Sequence, residues 1–169
     1  MTIINQTKQW IADFVLRHNL CPFAHQPFQH DRIGYVTTAH STMNAVCEAF
    51  QTLIEDAERD VVQTALLIYA GAEPLPFADY LDLSEILELE LQALNLSQRY
   101  QLATFHPDYQ FAEVEQDDPA NATNRSPFPM WHLLRRKDVQ DAIENHPDTL
   151  SIPQRNVALL RNLAASAGD

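Results

Sequence analysis

The apolar positions of the chain follow two alternating patterns, one with the spacing of helices and one typical of strands. Helical spacing predicts helices over residues 5–19, from Ser41 or Thr42 through Asp60, and over residues 77–94. Runs rich in β-branched, aromatic and aliphatic residues predict strands over residues 32–39, 62–69 and 100–105. Residues 106–129 have no clear periodicity, and two further helices are predicted over residues 130–145 and 154–165.

This order of elements predicts a single α/β domain over residues 1–169. Strands that are separated by helices of this length are usually parallel neighbours joined by right-handed crossovers. We therefore expect a small, mostly parallel sheet of three strands, flanked by helices, with a helical C-terminal part. The strand order does not follow from the sequence, and a ferredoxin-like sheet with a fourth strand is an alternative.

The charge balance narrows the range of partners. The chain has 11 Lys and Arg against 23 Asp and Glu, a formal net charge of −12, which repels phosphate backbones and anionic lipid surfaces. No apolar run reaches the roughly 18 residues that a membrane-spanning helix needs. We therefore expect no nucleic-acid partner and no membrane association. A small-molecule ligand is the expected partner, and the oligomeric state and any cofactor stay unknown.

The cysteines indicate the compartment. Cys21 and Cys47 form neither a close pair nor a disulfide framework, which agrees with a reducing environment. The first ten residues also lack the basic stretch and apolar core of a signal peptide. We expect a cytoplasmic protein.

Polar residues follow each of the three predicted strands. They are His40 and Ser41 after the first, Gly71 to Glu73 after the second, and His106 to Asp108 after the third. Ligands of open parallel sheets bind outside the carboxyl ends of the strands, so these groups are expected to meet at one rim. The alternative is that polar residues follow strands simply because loops face water.

Two of these groups could contribute to a metal site. His106 and Asp108 are spaced to point the same way if the strand continues, although Pro107 disturbs that geometry. His18, Cys21 and His25 also have spacings compatible with zinc, but a fourth ligand is missing. Whether a metal binds therefore stays open.

The segment from Asp117 to Arg136 concentrates polar groups in a long loop and the start of a predicted helix. Loops of more than about 12 residues in compact domains are commonly functional. Arg125 is the candidate to hold a carboxylate or phosphate of a substrate, and His132 and Arg135 would share one helix face. The alternative is that Arg125 pairs with Asp117 or Asp118. The full set of candidate substrate-binding residues is Asn121, Asn124, Arg125, Ser126 and Arg135.

Cys21 is a candidate nucleophile. Pro22 is favoured at the first helical position, which would place Cys21 at a helix N-terminus, where the thiol pKa is lowered. A lone cysteine between Leu20 and Phe23 is more often a small buried apolar residue, so both interpretations stay open.

Three motifs resemble those of a bacterial domain-of-unknown-function family of small proteins. They are NLCPFA at residues 19–24, FHPDYQF at residues 105–111 and DDPANATNRSPFPMWHLLR at residues 117–135. The resemblance implies a bacterial cytosolic protein and supplies no reaction. The candidate residues that lie in these motifs are Cys21, His106, Asp108, Asn121, Asn124, Arg125 and His132.

The leading hypothesis is an enzyme that acts on a small polar or anionic substrate by hydrolysis or group transfer. In this hypothesis, His106 or His132 is the general acid/base, Asp108 or Asp118 orients it, and Arg125 binds an anionic group. The loop that carries Asn121, Asn124 and Arg125 is called the asparagine–arginine loop below. The hypothesis requires this loop and the His-Pro-Asp turn, residues 106–108, to line one shared cavity.

Two other classes stay open. One is a thiol-dependent enzyme that uses Cys21. The other is a non-catalytic ligand- or protein-binding module, whose acidic helix residues would dock a basic partner. These acidic residues are Asp79, Asp82, Glu85 and Glu88.

Overall fold

The computed structural model describes residues 1–145 and 148–167. Its helices are α1 (Ile3–Trp10), α2 (His25–Gln29), α3 (Met43–Glu58), α4 (Phe77–Ala93), α5 (Arg136–Asn145) and α6 (Ile152–Ala167). Its strands are β1 (Ile33–Thr38), β2 (Thr64–Tyr69), β3 (Tyr100–Phe105) and β4 (Met130–Arg135). A π-helix (Ile11–Leu16) continues α1, and short 3-10 helices cover Pro22–Ala24, Pro119–Thr123 and Thr149–Ser151.

The four strands form one mixed sheet in the order β1-β2-β4-β3. The α/β class and the helical C-terminal part are confirmed, and the sheet has four strands. Only β1 and β2 pair in parallel, because β4 runs antiparallel to both β2 and β3. Strands β1, β2 and β3 consequently run in the same direction, and their carboxyl ends lie at the same edge of the sheet.

The predicted helix over residues 130–145 is wrong in its first part. Residues Met130–Arg135 form the strand β4, and the helix α5 begins only at Arg136. A short apolar run fits a buried strand as well as a helix, and pairing with two neighbouring strands decides between them. Met130, Trp131 and Leu133 are buried in this central strand.

Helices α3 and α4 cover one face of the sheet, which we call the packed face. Phe50 of α3 and Leu87 of α4 are fully buried against Leu67 of β2 and Trp131 of β4. In addition to apolar contacts, hydrogen bonds hold this layer of helices against the sheet. The Tyr80 hydroxyl donates to the Met130 carbonyl (2.7 Å) and accepts from the Phe105 amide (3.0 Å).

The opposite face of the sheet, which we call the cavity face, is covered by α1 and the π-helix. Ile11 packs against Ile33, Leu66 and Met130 of the sheet. Trp10 contacts the Phe105 ring edge-to-face, with 5.8 Å between the ring centroids. Apolar burial therefore also holds this face, but through a smaller cluster. None of the helices within residues 1–145 and 148–167 combines the length and apolarity required to cross a membrane.

Candidate functional site

A cavity of about 670 Å³ lies on the cavity face of the sheet, between the N-terminal segment and α5. We call it the sheet-face cavity. Its polar lining includes Cys21, His25, Thr64, Asn124, His132, Asp138 and Asp141, and its apolar lining includes Ile11, Val15, Phe23, Leu66, Phe105 and Leu134. Apolar walls with a few polar groups are typical of small-molecule sites, and the volume lies in the range of such sites.

Helix α6 holds in place the N-terminal segment, which forms one wall of the cavity. The Arg155 guanidinium donates to the Asn19 carbonyl (2.6 Å), and the buried Asn156 amide donates to the Leu20 carbonyl (2.7 Å). Asn19 has a positive φ of 51°, a conformation that asparagine tolerates better than most residues. The NLCPFA motif is therefore a tightly fixed turn that brings Cys21 to the cavity wall.

His132 and Thr64 form a hydrogen-bonded pair on the sheet wall of the cavity. His132 Nε2 lies 2.6 Å from Thr64 Oγ1, and Thr64 Oγ1 also donates to the Leu133 carbonyl (2.8 Å). A hydroxyl has one proton, so Thr64 accepts from Nε2–H when it donates to Leu133. This arrangement leaves Nδ1 of His132 unprotonated and without a hydrogen-bond partner in the described chain.

The protonation state of His132 follows from its surroundings. Burial disfavours the charged imidazolium and lowers the pKa of His132 to about 4. The imidazole is therefore neutral at neutral pH. Its Nδ1 lone pair is available to accept a hydrogen bond or a proton from a molecule in the cavity.

Cys21 lines the same cavity but is not a thiolate at neutral pH. Burial raises the pKa of the Cys21 thiol, and the opposing effect of the Phe23 and Ala24 backbone amides is smaller. Cys21 precedes the 3-10 helix Pro22–Ala24, which continues directly into α2, so the expected helix start is present. A protonated thiol is a weak nucleophile.

His106 lies outside the sheet-face cavity. It is buried, its Nε2 is 2.8 Å from the Leu75 carbonyl, and its Nδ1 accepts from the Asp108 amide (3.0 Å). Its ring also contacts Phe77 and Tyr80, and burial lowers its pKa. Both ring nitrogens are thus engaged in a turn at the carboxyl end of β3. Within this turn, Asp108 bonds the His106 ring through its backbone amide and not through its carboxylate.

The asparagine–arginine loop is held together by its own side chains. Arg125 Nε donates to the Tyr109 carbonyl (3.1 Å), and its Nη2 donates to the Gln116 carbonyl (2.6 Å). The buried Asn121 amide likewise bonds the Phe111 amide and the Glu115 carbonyl. Ser126 Oγ donates to the Phe128 carbonyl. Arg125, Asn121 and Ser126 do not line the sheet-face cavity.

Asp118 pairs with α6 rather than with Arg125. Arg161 binds both oxygens of this carboxylate, at 3.1 and 2.7 Å, and holds its pKa below the usual range. The expected pairing of Arg125 with Asp117 or Asp118 is therefore not what fixes the loop.

Asn124 is the residue that connects the loop to the cavity. Its side-chain amide donates to the Thr104 carbonyl (2.9 Å), and its own carbonyl accepts from the His106 amide (3.1 Å). The His-Pro-Asp turn and the loop are therefore neighbours, but they do not share one cavity as the hypothesis requires. Only the loop, through Thr123 and Asn124, reaches the sheet-face cavity.

Arg135 does not share a face with His132 because both lie on a strand rather than on a helix. Its guanidinium donates to Asp60 Oδ1 (2.7 Å) and to the Ala57 carbonyl (2.5 Å) at the end of α3. Burial and the Asp60 carboxylate act in opposite directions, and the net effect raises the pKa of Arg135. The guanidinium of Arg135 is consequently bound at the end of α3.

The position of the cavity differs from the expected rim. Thr64 begins β2, whereas Leu134 and Arg135 end the antiparallel β4, so these lining residues lie toward the amino ends of β1, β2 and β3. The polar residues after β1, β2 and β3 do not line it. Thr64, Asp138 and Asp141 are lining residues that the sequence analysis missed. The short, mostly apolar run Met130–Arg135, which follows Pro129, is the signal that could have indicated a buried strand and so placed His132 on it.

A metal site needs several ligating side chains close together, and the structure describes residues 1–145 and 148–167. No group of three or more His, Cys, Asp or Glu side chains in these ranges is arranged to hold a metal ion.

Fold and cavity together define an α/β protein with a ligand-sized site on one face of a mixed four-stranded sheet. Its family follows from comparison with known sequences. Residues 2–168 match the family described as "Protein of unknown function (DUF1415)", and the chain belongs to this family. No curated protein and no solved structure matches the chain.

Proposed function

We propose that the protein is an enzyme that acts on a small molecule held in the sheet-face cavity, with His132 as the acid–base group. The observation that carries this proposal is the fixed, neutral imidazole of His132, whose Nδ1 has no hydrogen-bond partner in the described chain. A positioned imidazole that can take a proton from a substrate or a water molecule is the commonest general base.

Thr64 is proposed as the positioning residue for this base. Because its hydroxyl donates to Leu133 and accepts from Nε2–H, it selects the tautomer with a free Nδ1 lone pair. In the proposed reaction, Nδ1 accepts a proton from a hydroxyl or water nucleophile as that oxygen attacks the substrate. The imidazolium then returns the proton to the leaving group. This sequence fits hydrolysis or group transfer.

The other candidate residues take supporting roles in this proposal. Asn124 lines the cavity, its amide nitrogen donates to Thr104, and its side-chain oxygen, which has no hydrogen-bond partner in the described chain, is proposed to bind substrate. His106, Asp108 and Arg125 hold the turn and the loop that carry Asn124. Arg125 is therefore assigned to loop structure and not to an anionic substrate group.

The test is turnover across a panel of small chromogenic esters, amides and phosphoesters, with and without added divalent cations. His132→Gln should lower kcat/KM at least about 100-fold on any substrate found, the usual contribution of a general base. His40→Gln is the matched control, since His40 is exposed and does not line the cavity. Equal activity of the two variants would refute the role of His132.

A second pair of variants tests the positioning role of Thr64. Thr64→Val removes the acceptor for Nε2–H and should lower kcat more than it raises KM, with a changed pH profile. Thr64→Ser keeps the hydroxyl and should restore both. A cavity that binds small molecules without turnover of any substrate in the panel would instead identify a non-catalytic binding module.

Cys21 carries the second candidate function, a thiol-dependent enzyme, because it lines the same cavity. Alkylation of Cys21 across the pH range, in a Cys47→Ser background, measures its pKa directly. A value above about 8.5 is expected from its burial and would exclude a resting thiolate. A value well below it would favour thiol chemistry over the His132 proposal.

The partners and the cellular location of the protein are proposed from its composition. The net charge of −12 supports the absence of a nucleic-acid partner, and two free cysteines support a cytoplasmic location. The motif resemblance supports a bacterial origin. The acidic residues of α4, Asp79, Asp82, Glu85 and Glu88, lie on the helix that covers the packed face, away from the cavity, and docking of a basic partner there stays a prediction.

A further inference from the structure

The charged side chains on the α5 wall of the cavity are acidic. Asp138 and Asp141 both line the cavity, together with Val139, Ala142 and Asn145. These positions are three or four residues apart and therefore form one side of the helix. Asp138 is partly buried and Asp141 is exposed, so the pair lies along the wall and its rim.

These two carboxylates are not neutralised by an ion pair in the described chain. Arg135 is the neighbouring cation, and the charge of Asp138 contributes to raising its pKa. The guanidinium of Arg135 nevertheless donates to Asp60, Ala57 and Val62. That of Arg136 donates to Ser97, Tyr100 and Gln101. Arg135 also lines the cavity and offsets part of the Asp138 charge, but a cationic ligand would still meet two carboxylates that have no ion pair in the described chain.

Two polar groups of the lining offer free hydrogen-bond acceptors. Neither His132 Nδ1 nor the Asn124 side-chain oxygen has a hydrogen-bond partner in the described chain. Between these acceptors and the carboxylates lies the apolar lining, which includes Val15, Leu66 and Phe105. A ligand that fits must combine an apolar body with hydrogen-bond donors.

We infer that the sheet-face cavity binds a molecule with an apolar body and a protonated amine, and that Asp138 and Asp141 recognise the amine. This inference rests on the proposed function, since it names the substrate class of the same site. It replaces the anionic substrate predicted from Arg125 by a cationic one. Partly exposed ion pairs are weak, so the two carboxylates together should provide about a tenfold preference for the charged amine.

The test uses three probes of equal size, 4-phenylbutylamine, 4-phenylbutanol and 4-phenylbutyrate, titrated into the full-length protein by calorimetry at pH 7. The amine should bind about tenfold more tightly than the alcohol, and the carboxylate should bind most weakly. Raising the salt concentration should weaken only the amine complex appreciably. Tighter binding of the carboxylate, or binding of none of the probes, would overturn the inference.

A charge-matched pair of variants locates the effect. Asp138→Asn combined with Asp141→Asn should lower amine affinity to that of the alcohol and leave alcohol affinity unchanged. Asp79→Asn combined with Asp82→Asn removes the same two charges from the exposed surface of α4 and should keep the preference. An equal loss in both double variants would mean that net charge, and not the cavity, selects the amine.

The outcomes separate this inference from the proposed function. A preference for the amine without turnover of any amine substrate would refute catalysis by His132 and leave the inference intact. Turnover of an uncharged or anionic substrate that depends on His132, without a preference for the amine, would refute the inference alone.

Discussion

The two faces of the sheet differ in how completely their polar groups are satisfied. On the packed face, Trp131 donates to Ser84 (2.8 Å), Ser84 donates to the Tyr80 carbonyl, and the Tyr80 hydroxyl bonds the backbone of two strands. On the cavity face, Nδ1 of His132 has no hydrogen-bond partner in the described chain, and the Asp138 and Asp141 carboxylates have no ion pair there.

This difference indicates that the two faces of the sheet have different roles, one in stability and the other in ligand binding. The packed face buries the larger apolar cluster, and close packing with satisfied hydrogen bonds stabilises an interior. A layer that keeps a cavity and unsatisfied acceptors gives up some of that stability. Such a layer is where ligand binding and proton transfer can occur.

The largest expected effect contrasts two adjacent leucines of β2. Leu67 is fully buried on the packed face, whereas Leu66 lines the cavity. Leu67→Ala should cost about 4 kcal/mol of unfolding free energy and Leu66→Ala about 2 kcal/mol, because removing atoms beside an existing cavity loses fewer contacts. Urea unfolding of both variants measures the two costs, and equal costs would contradict the division between faces.

The next effect is the pH dependence that His132 contributes. Its pKa is about 4 in the folded protein and about 6.5 when unfolded, so the unfolded state binds more protons between these values. The stability is therefore full above about pH 6.5 and falls as the pH drops toward 4, by about 3 kcal/mol from this residue.

Urea unfolding at pH 7.5 and pH 4.5 checks this prediction. His132→Gln should reduce the loss of stability between the two pH values, while the exposed His40→Gln should not. Buried His106, whose pKa is also lowered, contributes in the same direction and accounts for part of the remaining slope. An unchanged slope in His132→Gln would show that its imidazole is not desolvated.

A smaller effect is expected from the buried bond that holds the NLCPFA turn. Asn156→Ala leaves the Leu20 carbonyl without its partner and should cost about 2 kcal/mol. It should also speed alkylation of Cys21, because the turn opens more often. Asn162→Ala, at an exposed position of the same helix, is the control and should change neither quantity.

The smallest effect is expected at the ion pair between Arg161 and Asp118. Arg161→Gln removes a partly exposed ion pair and should shift the urea midpoint less than Asn156→Ala does. Asp118 keeps its bond from the Ala120 amide, so the 3-10 helix stays capped. Salt should reduce the wild-type midpoint toward that of the variant, and a larger shift would mean that α6 braces the loop mainly through this pair.

Local patterns were sufficient for most of the fold. The strand Tyr100–Phe105 and the helix Phe77–Ala93 lie where periodicity and the flanking prolines predict them. The sequence pattern predicts a helix for Met130–Arg135. A run of six residues beside a helical pattern is too short to distinguish a period of 3.6 residues from a period of two. Pairing with β2 and β3 decided that segment.

The candidate site was predictable in its parts but not in its assembly. Cys21, Asn124 and His132 were singled out, and all three line the cavity. Arg125 and His106 were equally prominent in the sequence, yet both lie outside the cavity and are bonded to backbone groups. Arg135 lines the cavity, but its guanidinium binds Asp60. Composition shows that a side chain can donate a hydrogen bond, but it does not show which acceptor the fold supplies.

The sequence by itself determined the positions of most helices and strands, the acidic charge and the chemical types available for a site. These properties depend on neighbours within a few residues or on simple sums. Tertiary structure decided that Thr64 fixes the ring of His132, 68 positions away, and that residues at the amino ends of β1, β2 and β3 line the cavity. Strand pairing and helix packing set those relations, and both depend on contacts between residues that are far apart along the chain.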